Sequence, residues 1–229
     1  MSKLVLSALV FAFLTASVPA RAAYFEIGDA GDLLATAQAT VGPAPLTSIV
    51  GHLDVPDSVD DYLDVDLFQI FIFDPLAFSA WTIGLPGVTV DDPQLFLFDS
   101  SGLAVYMNDD DESGTSGSQS LLPSGSLFGP ASVGLYYLAI GWFDNEPSSL
   151  TGLMFEQQGT GTNGPDLGAG GSDPLAGWNG NVTGRADLPT AYEIRLAGTR
   201  AAVPEPGTMA LVALGLTATF LRRRTQTKV

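Results

Sequence analysis

Leu67-Phe68-Gln69-Ile70-Phe71-Ile72-Phe73 is apolar at almost every position, so both of its alternating faces are apolar. A strand with one face in water carries polar residues at every second position, whereas a run apolar on both faces is a central strand covered on two sides. Leu135–Trp142 reads the same way. Around these two lie further short runs rich in Val, Ile, Phe, Tyr and Trp, at Leu46–Leu53, Val65–Phe73, Phe78–Gly84, Gln94–Asp99, Leu103–Met107, Gly134–Phe143 and Ala191–Gly198. Gly152–Gln157 is a weaker candidate. Clusters of Gly, Pro, Asp, Asn and Ser separate them, which predicts an all-β fold. Asp99-Ser100-Ser101-Gly102 is a hairpin turn with Gly102 where a positive φ is needed, so 94–99 pairs with 103–107. Helical signal is limited to a turn around Asp32–Thr40. The segment 158–184, dominated by Gly, Asn, Asp, Pro and Thr, reads as a long loop or a weakly ordered excursion.

The flanks read as targeting signals. Lys3 precedes an apolar stretch from Leu4 to Val18, then Pro19 and Ala20-Arg21-Ala22. A basic n-region, an apolar h-region and an A-x-A site predict a signal peptide over residues 1–22, with cleavage leaving Ala23 first. An uncleaved anchor is the alternative, although the stretch is short for a span. At the other flank stand Val203-Pro204-Glu205-Pro206-Gly207, an apolar run within 208–221, and Arg222-Arg223-Arg224. This order resembles the PEP-CTERM sorting signal, a Pro-Glu-Pro tripeptide followed by a short transmembrane helix and a basic cluster. The resemblance implies that an exosortase-like processing enzyme recognises Pro204, Glu205 and Pro206 during transient inner-membrane insertion. It further implies a Gram-negative host that makes extracellular polysaccharide, with the protein at the cell surface or in the extracellular matrix. Residues 203–229 would form that signal. Independently, Arg222, Arg223 and Arg224 behind an apolar run stop a chain with its bulk outside the membrane. A permanent tail anchor is the alternative, and the run falls short of the roughly 20 residues of a stable span.

Between the signals lie residues 23–202, enough for one domain. This segment holds 24 of the 25 acids and only Arg185, Arg195 and Arg200 as cations, a net −21, with no lysine. Such a surface repels phosphates, so nucleic acid is excluded as a partner, and it suits cations or a salty medium. Cysteine is absent, so no disulfide staples the exported fold.

Several segments also resemble the bacterial pre-peptidase C-terminal (PPC) domain, a jelly-roll-like β-sandwich. They are Asp64-Val65-Asp66-Leu67-Phe68-Gln69-Ile70, Asp92 to Gly102, Asn108-Asp109-Asp110, and Gly134-Leu135-Tyr136-Tyr137-Leu138-Ala139-Ile140. The likeness places a single sandwich over about 46–198, and departs from the family at the Gly-rich insertion and at Phe68, where tyrosine is common. It implies an accessory, adhesive or stabilising domain, sometimes calcium-bound, and not an enzyme.

Asn108, Asp109, Asp110, Asp111 and Glu112 are five oxygen-bearing side chains in a row, chemistry that suits calcium's six to eight oxygen ligands. Adjacent carboxylates repel unless a cation sits among them. A second acidic loop, Asp54 to Asp61, leads to Asp64 and Asp66. Neither matches the EF-hand spacing. The alternative is a solvated acidic rim. Catalysis has little to work with, since His52 is the single histidine, a triad would have to be built on it, and Cys and zinc chemistry lack ligands. His52 reads as structural. Paired carboxylates of a secreted carbohydrate-active enzyme remain the competing class. Trp178, in the Gly-rich segment, is either a ring that contacts a ligand such as a sugar or one that plugs back onto the core.

Overall fold

The computed structural model describes residues 22–42, 45–54, 64–111, 117–156, 159, 161–180 and 190–203. The signal peptide (its first 21 residues), Glu112, Pro204, Glu205, Pro206, the apolar run 208–221 and Arg222, Arg223 and Arg224 lie outside them.

In chain order the strands are β1 (Ala22–Phe25), β2 (Gln38–Ala39), β3 (Leu46–His52), β4 (Val65–Ile72), β5 (Ser79–Thr82), β6 (Pro93–Asp99), β7 (Ala104–Asn108) and β8 (Leu121–Leu122). They continue with β9 (Gly134–Trp142), β10 (Pro147–Ser149), β11 (Gly152–Leu153), β12 (Thr162–Asn163), β13 (Gly177–Trp178), β14 (Ala191–Ala197) and β15 (Thr199–Ala201). All seven runs expected from the sequence are strands, within one or two residues at each end. Among the described residues the only helix is a 3-10 turn at Gly170–Ser172, and none is long and apolar enough to cross a membrane.

The double-sided run is β4, which lies inside a seven-stranded sheet ordered β12-β7-β6-β9-β4-β15, with β2 also on the β15 edge of β4. It pairs along its whole length with β9, from Val65 opposite Gly141 to Ile72 opposite Gly134. Alternation then divides its side chains between two cores. Phe68, Ile70 and Ile72 face a five-stranded sheet, β1-β3-β14-β5-β8, and join Leu46, Ile49, Ala80, Ile194 and Leu196 from it in one buried cluster. Tyr24 and Tyr192 both meet the Phe68 ring edge-on, with centroids 6.2 and 6.5 Å away.

Val65 and Leu67 point the other way, into a second core with Phe96, Phe98, Met107 and Ala139. Its cover is a third layer, the three-stranded sheet β11-β10-β13, together with Met154, Phe155, Leu175, Trp178 and the turn at Leu33–Ala37. The described part of the Gly-rich segment is a loop on the sandwich that carries the two-residue strands β12 and β13 and helps to roof this face. Its glycines permit close approach, since a Cβ on Gly170 would overlap the Leu153 carbonyl oxygen. The Asp32–Thr40 region is also only partly as expected. One helical turn, closed by Ala37 N–H to the Leu33 carbonyl at 2.8 Å, gives way at once to β2.

Gly102 has φ 83°, and the Asp99 carboxylate accepts from Ser101 and Leu103 N–H at 2.8 and 3.0 Å, as the hairpin requires. A bulge at Leu97/Phe98 moves the second strand one residue on, to 104–108. Gly198 does another job. The chain passes there from β14 in one sheet to β15 in the other, with φ 72° and its carbonyl accepting from Phe73 and Asp74.

A Cβ on Gly198 would stand 2.7 Å from the Asp74 carbonyl oxygen and 2.9 Å from Phe78 N, so Gly198→Ala combines left-handed strain with a backbone clash. The expected cost is about 2–4 kcal/mol, a drop of about 5–15 °C in thermal melts. Gly28→Ala, at φ 69° in open space, should lose only about 1 kcal/mol.

Candidate functional site

The start of β4 carries a buried carboxylate on its inner face, one position pair before Phe68. Asp66 is wholly buried. Its Oδ2 accepts from the Tyr192 hydroxyl at 2.5 Å, whereas its Oδ1 has no hydrogen-bond partner. Glu26, just after β1, and Asp29 each bring a carboxylate oxygen within 4.8 Å of one on Asp66. The outer members of this cluster are held by backbone donors. Glu26 accepts from Ala30 and His52 N–H at 3.1 and 2.9 Å, Asp29 from Gly31 N–H at 2.8 Å, and Asp64 from Asp54 N–H at 2.6 Å.

Electrostatics here run against ionisation. Burial, followed by the charge of Asp64, pushes the Asp66 carboxyl up to about 9 against the opposing hydrogen bond from Tyr192. Burial, then Asp29 and Asp54, pushes Asp64 up to about 6. Tyr192 is raised well above its ordinary value, first by burial and then by Asp66. Of the expected ligands Asp66 is in this trio, whereas Asp64 is not one of the converging carboxylates and acts on Asp66 through its charge. Glu26 and Asp29 were invisible to sequence reasoning, because only the parallel pairing of β1 with β3 carries them to the mouth of β4.

A second cluster hangs from the β6–β7 hairpin. Carboxylate oxygens of Asp92, Asp109 and Asp110 lie within 4.8 Å of one another. Asp109 is buried and its Oδ1 has no partner. Burial, then Asp92, Asp110 and Glu146, pushes its carboxyl up to about 7 against an opposing hydrogen bond from Gln94. The contiguous acidic run does not act as one unit. Asn108 spends its amide on structure, its Oδ1 accepting from Leu121 N–H at 2.6 Å and its Nδ2 donating to the Asp110 carbonyl at 3.0 Å. Asp111 is not among the converging carboxylates, and its N–H donates to the Gln119 carbonyl at 2.7 Å. Asp92 was the missed member, although pairing 94–99 with 103–107 already sets residue 92 near 109 and 110.

Trp178 sits in β13, half-buried. Its ring meets Phe96 and Phe98 edge-on at 5.3 and 6.3 Å, and its Nε1 donates to the Asp32 carbonyl at 2.8 Å. The ring is therefore part of the roof over the second core. The His52 ring faces carboxylates, with Nδ1 3.6 Å from Glu26 and Nε2 3.4 Å from Asp54. A cavity of about 500 Å³ at the hairpin end is lined by Val105, Phe128, Val133, Leu135 and Tyr136, with Asp99 its one carboxylate. A smaller one, about 220 Å³, is lined by Asp109, Asp144, Glu146, Glu156 and Gln94.

The described residues reach the edge of the flanking signal still hydrogen-bonded. Val203 N–H donates to the Thr40 carbonyl at 3.0 Å, and Gly42 N–H to the Val203 carbonyl at 3.1 Å. A family model of the PEP-CTERM protein-sorting motif matches residues 202–224. Neither the curated proteins nor the solved structures contain a match to the chain. The chain carries a PEP-CTERM sorting motif, the mark of an exported protein processed by an exosortase-type enzyme.

Proposed function

We propose that this is a non-enzymatic, calcium-stabilised protein of the cell surface or extracellular matrix in a Gram-negative bacterium, associated with extracellular polysaccharide and adhesive toward it. The observation that carries the reading is Asp66, wholly buried, with Oδ1 unpartnered and Glu26 and Asp29 converging on it. An ionised carboxylate taken out of water must be paired, hydrogen-bonded or protonated. The described arginines are engaged elsewhere: Arg195 Nε lies 2.6 Å from Glu193, and Arg200 stacks 3.9 Å over Phe71. A proton or a cation from solution would neutralise Asp66, and three converging carboxylates offer oxygen ligands of the kind calcium takes. The matrix role adds that calcium would bridge a −21 surface to an acidic polysaccharide.

The two-sheet core with its β4–β9–β6–β7 run supports a jelly-roll, PPC-like sandwich as the architecture of this reading. One observation favours the competing enzyme class, the raised Asp109 carboxyl beside Glu146. Against it stands the cavity there, whose roughly 220 Å³ is below the 300–1,000 Å³ of pockets that hold small ligands.

A carboxyl whose folded-state pKa is raised keeps a proton that the unfolded chain has released, so stability falls as pH rises between the two values. For Asp64, Asp109 and Asp66 that window opens near 3.8 and closes at about 6, 7 and 9. In chelator, the melting temperature should therefore decline steadily from acid to mildly alkaline pH. Saturating calcium should abolish the decline and have little effect at the acid end. Asp66→Asn, neutral and nearly isosteric, should flatten the chelator curve. Identical melts with calcium and chelator at alkaline pH would sink the calcium reading.

Co-sedimentation with the host's extracellular polysaccharide tests the adhesive part. Pelleting in calcium and its loss in chelator is the expected result, whereas no pelleting in either would redirect attention to glycan hydrolysis.

A further inference from the structure

Leu95 lies opposite Asn108 in the β6–β7 register, so Asp92, immediately before β6, stands beside Asp109 and Asp110, immediately after β7. Oxygens held about 2.4 Å from one ion can be no more than about 5 Å apart, and one oxygen from each of the three carboxylates lies within 4.8 Å of the others. A second observation does not depend on the cluster. Asp109 is 5% exposed, and although Gln94 hydrogen-bonds its carboxyl, its Oδ1 finds no donor among the described residues. Leaving such an atom charged and unpaired costs far more than a routine surface carboxylate does.

The segment is also held in place. Besides the Asn108 and Asp111 bonds, the Ser120 hydroxyl donates to the Asn108 carbonyl at 2.6 Å, and Leu95 N–H donates to Ser120 Oγ at 3.1 Å. Repulsion among the three carboxylates therefore cannot be relieved by letting the strand ends spread. Glu146, 7% exposed, adds a fourth acidic group while accepting from Gln94 Nε2 at 3.0 Å.

We propose that Asp92, Asp109 and Asp110 form a second divalent-cation site, separate from the one at Asp66, for a hard ion of the calcium class. Three carboxylates leave coordination positions open, and the adjoining cavity of about 220 Å³ has room for the waters that complete them. An ion here fastens the start of β6 to the end of β7, next to the turn that brings Glu146. The proposal shares its ion with the Asp66 reading, but the two sites succeed or fail separately.

The test is the number of calcium equivalents bound by the purified protein, measured calorimetrically, for wild type, Asp66→Asn, Asp109→Asn and the double variant. Two equivalents in wild type, one in each single variant and none in the double variant is the expected result. A wild-type count that Asp109→Asn leaves unchanged overturns the second site. If Asp66→Asn leaves the count unchanged while Asp109→Asn lowers it, the Asp66 reading fails and this site stands. Asp92→Asn and Asp110→Asn, at half-buried positions, repeat the measurement if Asp109→Asn does not fold; each should weaken the second equivalent at least tenfold, and unchanged affinity in both overturns the site.

Discussion

A carboxylate buried in the strand shared by both cores is the constraint around which this protein is arranged. Asp66 cannot leave the interior without dragging β4 out of register, because a one-residue slip would send Phe68, Ile70 and Ile72 to the wrong face. Three large apolar side chains, each worth about 1.5–3 kcal/mol of burial, hold it there. The same alternation that builds the core thus forces a charge-bearing group into it. Tyr192 satisfies one oxygen only. No lysine lies between the two signals, and the described arginines, Arg195 and Arg200, are committed elsewhere.

The lack of disulfides is offset by layering. β4, β6 and β9 bury both faces, one against the five-stranded sheet and one under the Gly-rich roof, so a chain of modest length gains two cores. Glycine makes the roof possible where backbone meets backbone at Gly170, and the sheet switch possible at Gly198. β15 pairs with β4, and Val203 is bonded on both sides to the Thr40–Gly42 segment, so the described fold reaches the residue before Pro204. An enzyme acting on the matched motif meets a folded body directly beside it.

What could be read from the sequence was whatever depends on nearest neighbours along the chain. Alternation exposed the strands, the double-sided run exposed β4, and Asp99-Ser100-Ser101-Gly102 exposed the hairpin and its positive φ. What could not be read depends on which strands lie side by side. Glu26 and Asp29 are about forty residues from Asp66 and carry no local mark of their destination. The roof escaped notice because its strands are two or three residues long, and because Met154, Phe155 and Leu175 are scattered among polar neighbours. Asp92 is a different case. The hairpin pairing already implied its position, but an unbroken run of acids at 109–112 drew the eye to sequence neighbours and away from cross-strand ones.

Both carboxylate clusters occupy one rim of the seven-stranded sheet. Val65 at the start of β4 is opposite Gly141, Gly141 is opposite Gln94, and Leu95 is opposite Asn108. The mouth of β4 and the end of β7 are therefore three strand spacings apart, about 14 Å. That exceeds the screening length of about 8–10 Å in physiological salt, so the charge of each cluster is largely screened from the other. The opposite rim, with the hairpin at Asp99–Gly102 and the start of β9, has a cavity of mixed lining with a single carboxylate, Asp99, among its described lining residues. The direction in which four antiparallel strands run thus sets both carboxylate clusters at one end of the sheet.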